Sequence, residues 1–264
     1  TNGAAINFVQ SGNVTATDNI IDGSKRHGIN LSDMTGLNTV SGNTVDNVAT
    51  HGSFLTNVAG TVDLKTGAVV ANNTLLGDTK GGSGIATTNA DYAQITGNVI
   101  QDYAAGVNVN NTSIGTRVEG NTIALNQFGV GIIISGGSHE STVSANVVNG
   151  TDDTVGISVA TSDNVSISGN TTNNNLVGIR LNDAQNTTLF NETLNNNGLG
   201  VYALGGSGGT TMGSSTINGG GIGIALEGAG TDFAFSDNGT RFNGVTGFFS
   251  LAGGAMNGQV LDAS

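Results

Sequence analysis

Two residue types are missing altogether from this chain of 264 residues: cysteine and proline. Without Cys there is no disulfide framework and no thiolate metal site. Without Pro, no residue lacks a backbone donor, which suits a fold whose strands are paired on both sides. Charge is scarce, at 10% of residues, and unbalanced: seven Lys and Arg against 19 Asp and Glu leave a net charge of -12. That argues against nucleic acid or an anionic membrane as a partner. Trp is absent and aromatics make up 5%. No apolar run approaches the roughly 20 residues of a membrane span. Thr1 is not an initiator Met, no signal peptide follows it, and the first residues read as mid-repeat. The expectation is a mature or trimmed piece of a longer chain.

What is present is Gly, with 44 residues, and Asn, roughly one residue in eight, together with many Val, Ile and Thr. This composition suits short strands joined by Gly and Asn turns. A first anchor recurs as Gly28-Ile29-Asn30-Leu31, Gly106-Val107-Asn108-Val109, Gly131-Ile132-Ile133-Ile134, Gly156-Ile157-Ser158-Val159 and Gly178-Ile179-Arg180-Leu181. The interval is about 22–25 residues, with one longer step between Gly52 and Gly84. A second anchor follows about 15 residues later: Asn19, Asn43, Asn73, Asn98, Asn121, Asn146 and Asn170, continuing as Glu192, Ser215 and Asn238. Equivalent Asn residues on stacked coils can bond to the copies above and below.

A period near 23 with two or three short strands is one turn of a parallel β-solenoid, which buries its inward residues only by stacking. The fold class predicted is all-β, a single-stranded parallel β-helix of about 11 turns over residues 1–264, taken as a right-handed parallel β-helix because parallel crossovers generally have that hand. It is one domain, with little or no α-helix and an extra loop near residues 57–71 that includes Ala59-Gly60-Thr61-Val62-Asp63-Leu64. Inward positions include Ile29, Leu31, Val40, Val45, Val107, Val118, Ile123, Val143, Val147, Ile157, Ile167, Ile179 and Ile224. A Phe-rich C-terminal part (Phe233, Phe235, Phe242, Phe248, Phe249) predicts either a thicker core there or a transition to another segment.

The paired signals, Gly-Ile/Val-x-Val/Leu and then Val-x-Gly-Asn-x-Ile/Val-x-x-Asn, resemble the right-handed parallel β-helix repeat. Pectate-lyase-like enzymes, mannuronan epimerases, phage tailspikes and secreted bacterial surface proteins, including autotransporter passengers, share that repeat. The resemblance spans nearly the whole chain and implies the right-handed fold. It is specific for architecture and poor for activity, because one fold hosts enzymes and inert rods.

One constellation stands apart from the repeat. Lys25-Arg26-His27-Gly28 on one turn is followed by Thr50-His51-Gly52 on the next, so His27 and His51 fall on neighbouring turns about 5 Å apart. Asp22 and Asp46 align five residues earlier. His27, His51, Arg26 and Lys25 are the candidate catalytic residues of a uronate polysaccharide lyase or C5-epimerase, with His as base and the cations neutralising the carboxylate. Arg26-His27-Gly28 also resembles a piece of the mannuronan epimerase repeat, although no Asp-Pro-His segment exists without Pro. Two His one turn apart lack a third ligand for a transition metal. No cofactor is expected; Ca²⁺ is an option at Asp152-Asp153 with Asp163, or at Asp22 and Asp46. The weak match to polygalacturonase motifs leaves Arg117, Arg180 and Arg241 as exposed strand residues. The leading function is a structural or adhesive solenoid, secreted or held at a bacterial cell surface or outer membrane as the resemblance to surface proteins implies, that binds polysaccharide or a host or neighbouring cell surface, or associates with itself. Its support is the uniform repeat, low charge, and faces rich in Asn, Thr and Ser.

Overall fold

The computed structural model describes residues 3–60, 65–78, 81–237 and 239–257. Among these residues every regular element is a strand, and each strand pairs in parallel with its equivalent on the turns before and after. Three sheets run the length of the molecule, with eleven, eleven and ten strands. The first sheet holds mostly six-residue strands such as Ile29–Met34 and Val155–Ala160. The second and third hold mostly three-residue strands such as Arg117–Glu119 and Thr122–Ala124. A turn of the coil is therefore one long and two short strands. At about 4.8 Å per turn the stack is a rod of roughly 50 Å.

The period follows from burial. Strand side chains alternate, so Val-x-Val on the first sheet sends two residues inward per turn and each short strand sends one. Ile132, Ile134, Val143 and Val148 fill one such layer, all fully buried, and the columns align with those of the next turn. Of the inward positions read from the sequence, one is misplaced by a single residue. Val148, not Val147, enters the core, and Val147 is half-buried on the outer face. The pair Val147-Val148 offers two equivalent apolar side chains, and only the pairing register decides between them.

The Gly anchor has a steric cause. A Cβ on Gly106 would stand 2.5 Å from the Gly131 carbonyl oxygen and 2.6 Å from Ile123 Cγ2. Only a residue without a side chain lets neighbouring turns close at this corner.

The extra segment is narrower than residues 57–71. Asn57 and Val58 complete the strand Ser53–Val58, and Val69–Ala71 is a regular strand of the second sheet. Thr61 to Leu64 lie outside the described residues. At the C-terminal end the Phe residues form an edge-to-face cluster, with Phe235 6.3 Å from Phe249 and Phe242 5.5 Å from Phe249. Phe233 is fully buried beneath it.

Candidate functional site

His27 and His51 stand at the corner that leads into the first sheet. Their rings stack with centroids 5.1 Å apart and planes 7° from parallel. Phe54, on the outer face of the next strand, lies 4.8 Å from one ring and 5.2 Å from the other. Each Nδ1 is engaged: that of His27 lies 2.8 Å from Thr50 Oγ1, and that of His51 accepts the Ser83 N–H at 2.9 Å. Thr50 donates its hydroxyl hydrogen to the Arg26 carbonyl at 2.8 Å, so it accepts from His27 Nδ1–H. This network assigns the proton to Nδ1 in His27 and to Nε2 in His51. Burial pulls the His27 imidazole down to about 4, with help from His51 and Arg26. His51 is lowered too, chiefly by burial. Both rings are neutral at pH 7. His27 Nε2 is buried without a hydrogen-bond partner, while Lys25 and Arg26 are exposed. Asp22 and Asp46 pair in register on the outer face of the third sheet. Asp152-Asp153 and Asp163 lie at opposite ends of the strand Val155–Ala160 and are not brought together.

The second Asn anchor forms a continuous inner ladder at the corner between the second and third sheets. Asn43, Asn73, Asn98, Asn121, Asn146 and Asn170 are all buried. The backbone N–H and the side-chain amide of Asn98 both donate to Asn121 Oδ1, each at 2.9 Å, and Asn121 repeats this to Asn146. Half-buried Asn19 starts the chain by donating to Asn43. Glu192 accepts from Asn170 at the other end, and Ser215 Oγ then accepts from the Glu192 N–H at 3.0 Å. Asn238 lies outside the described residues. A Ser ladder at another corner went unread in the sequence: Ala90 N–H donates to Ser113 Oγ, Ser113 to Ser138, and Ser138 to Ser162.

A further row was also missed. On the outer face of the third sheet, Asn149, Asn173, Asn195, Asn218 and Asn243 stand one above another. From Asn173 onward each Nδ2 donates to the Oδ1 of the turn before it at 2.8 Å. Thr171, Thr193 and Thr216 form a parallel row two residues away on the same face. All four hydrogen bonds point the same way along the axis. Every Asn keeps one N–H and one oxygen lone pair free to face outward. The signal was present as Thr171-Thr172-Asn173, Thr193-Leu194-Asn195 and Thr216-Ile217-Asn218, hidden by the abundance of Asn in the turns.

Residues 6–140 match the family described as periplasmic copper-binding protein (NosD). Residues 131–262 match the family described as right handed beta helix region. The chain is a right-handed β-helix protein, and it belongs to the NosD family through its N-terminal half. No curated protein matches it in sequence. Among solved structures it is similar to the catalytic unit of a thermostable GH87 alpha-1,3-glucanase from Streptomyces thermodiastaticus, at 12% identity and a TM-score of 0.50. That alignment covers 97% of this chain and 63% of the other. The Agl-KA catalytic domain aligns at 13% identity with a TM-score of 0.52, over 88% of this chain and 54% of that one. At these identities the likeness is one of fold, and the chain spans somewhat less than two thirds of either neighbour.

The residues described here do not fit the copper that the family's description names. The two imidazoles are parallel, so their in-plane lone pairs run side by side and do not converge on one ion. Both Nδ1 atoms are already bonded. Met34 and Met212 are sealed in the core. No group of three or more His, Asp or Glu is arranged to hold a metal among the described residues.

Proposed function

We propose that this chain is a non-catalytic, extracytoplasmic β-solenoid that binds neutral glycan chains along the outer face of its third sheet. The observation that carries the reading is the outward Asn row with its flanking Thr row. It presents one amide donor, one amide acceptor and, on three turns, a hydroxyl at a constant spacing of about 4.8 Å. An extended polymer lying along the axis meets the same groups turn after turn, so weak contacts sum. Strand pairing holds the array rigid, which keeps the entropic cost of binding low. The net charge of -12 repels a polyanion and leaves a neutral polymer unaffected. One fold neighbour is an alpha-1,3-glucanase, which makes a glucan the first ligand to try.

Against a catalytic role for the His pair stand the burial of His27 Nε2 and the engagement of both Nδ1 atoms. A general base must reach the proton it removes. Location outside the cytoplasm accords with the periplasmic description of the matched family.

The test is co-sedimentation with insoluble cellulose, xylan, mannan and an α-1,3-glucan, with alginate and pectate gels as acidic counterparts. Retention by at least one neutral polymer is expected. It should fall at least tenfold when Asn173→Asp and Asn195→Asp introduce charge into the row. Retention by the acidic gels alone would contradict the proposal.

A further inference from the structure

On the second sheet, beside the extra segment, the outer face opens into a cavity of about 250 Å³ lined by Lys65, Tyr92, Gln94, Gly115, Arg117, Glu140 and Thr142. Gln94, Arg117 and Thr142 are outward residues of three successive strands and pair in register. They make a polar floor three turns long. Tyr92 and Glu140 come from the corner that precedes these strands, and Lys65 from the chain entering the same corner one turn before Tyr92.

The Tyr92 ring has a built seat. Gly115 has a φ of +64°, and a Cβ there would stand 2.6 Å from both Cδ1 and Cε1 of Tyr92. The ring therefore rests on the bare backbone of the next turn, at a place where only Gly fits. The Tyr92 backbone N–H is fixed as well, donating to the Ile114 carbonyl at 2.8 Å. Arg117 is oriented by Glu119, 2.5 Å away.

We propose that this cavity is a binding site for a single neutral pyranose ring, distinct from the Asn row on the third sheet. An aromatic ring surrounded by groups that both donate and accept is what a sugar needs. The C–H face of the pyranose packs on Tyr92, while its hydroxyls donate to Glu140 and accept from Gln94, Arg117 and Lys65. The ligand is neutral because the charges cancel. Two of the chain's seven cations are here, and Glu119 and Glu140 balance them, so no unmatched positive charge remains for a carboxylate. A volume of about 250 Å³ is below the range of sites for drug-sized ligands and suits one ring. The site rests on its own residues. A chain end or a side branch can occupy it whether or not the third sheet binds polymer.

The experiment is a titration of the ¹⁵N-labelled full chain with methyl glucoside, methyl galactoside and methyl mannoside, with glucuronate as the charged counterpart. Expected are saturable shifts with at least one neutral sugar, mapping to residues around Tyr92 and Arg117. Tyr92→Ala and, independently, Gln94→Ala should each weaken binding at least fivefold. Asn195→Asp on the third sheet should leave it unchanged. Should Tyr92→Ala lose its fold by circular dichroism, Gln94→Ala and Glu140→Gln decide alone. The proposal is overturned by an absence of saturable shifts with all three neutral sugars, by tighter binding of glucuronate, or by binding that survives both Gln94→Ala and Glu140→Gln. Absence of polymer retention by the parent chain, with monosaccharide binding intact, would sink the third-sheet reading and leave this one standing.

Discussion

At the scale of single residues, two buried titratable groups give the rod opposite responses to pH. Glu192 occupies an Asn position of the inner ladder, where its Oε1 accepts from Asn170 and its Oε2 is buried without a partner. Burial pushes the carboxyl up to about 8, against the pull of the Asn170 bonds. Below an ordinary carboxylate value Glu192 is protonated in both the folded and unfolded chains. Above it only the unfolded chain releases the proton freely, so stability is full at low pH and is lost as pH rises through about 8. At about 1.4 kcal/mol per unit the loss amounts to several kcal/mol. Glu192→Gln keeps an acceptor and removes the charge. Urea midpoints should fall between pH 5 and pH 9 in the parent chain, and this component of the fall should be absent from the variant. Superimposable profiles would refute the buried acid. His27 acts in the other direction. Its value is lowered to about 4, so its contribution is full above the ordinary His range and is lost as pH falls through about 4. His27→Phe, which keeps a ring in the stack, should flatten the acid limb of the same urea experiment.

At the scale of the element, the corner ladders and the Gly column decide whether turns can stack. Removing Asn121 with Ala strands the backbone N–H of Asn98 and leaves the Ile95 carbonyl without its Asn121 partner, while the Asn98 amide keeps the Val70 and Thr96 carbonyls. Each buried group left unpaired costs about 1–3 kcal/mol. Asn121→Ala should therefore lower stability by about 3 kcal/mol or more by chemical denaturation. Asn195→Ala, on the outer row where water replaces the lost partner, should cost less than about 1 kcal/mol. Equal losses would mean that the inner ladder does no more than the outer one. These elements also show what the sequence makes legible. The Gly and Asn columns are visible because stacking demands the same residue at the same corner on every turn. The Val147-Val148 choice is not visible, because both residues satisfy the composition and only the register of neighbouring turns selects one. The stacking of His27 on His51 follows from the Gly28 and Gly52 alignment. The burial of His27 Nε2 without a partner is announced by no local pattern. The Tyr92 cavity was invisible for the same reason, since its residues come from four separate turns.

At the scale of the whole molecule, the chain is an acidic rod whose proposed glycan contacts lie on its outer faces. A neutral ligand on a surface of net charge -12 implies weak dependence on salt. Retention on a neutral glycan should change less than twofold between dilute buffer and half-molar salt, whereas binding driven by ion pairs would weaken steeply. The central claim is that the outward Asn and Thr rows of the third sheet contact the glycan. It is tested most directly by co-sedimentation with the neutral polymer panel, comparing the parent chain with the Asn173→Asp, Asn195→Asp double variant after both are shown to be folded. The account predicts saturable retention of the parent on at least one neutral polymer and at least a tenfold loss in the variant. Equal retention of the two chains, or no retention of the parent on any neutral polymer, would contradict it.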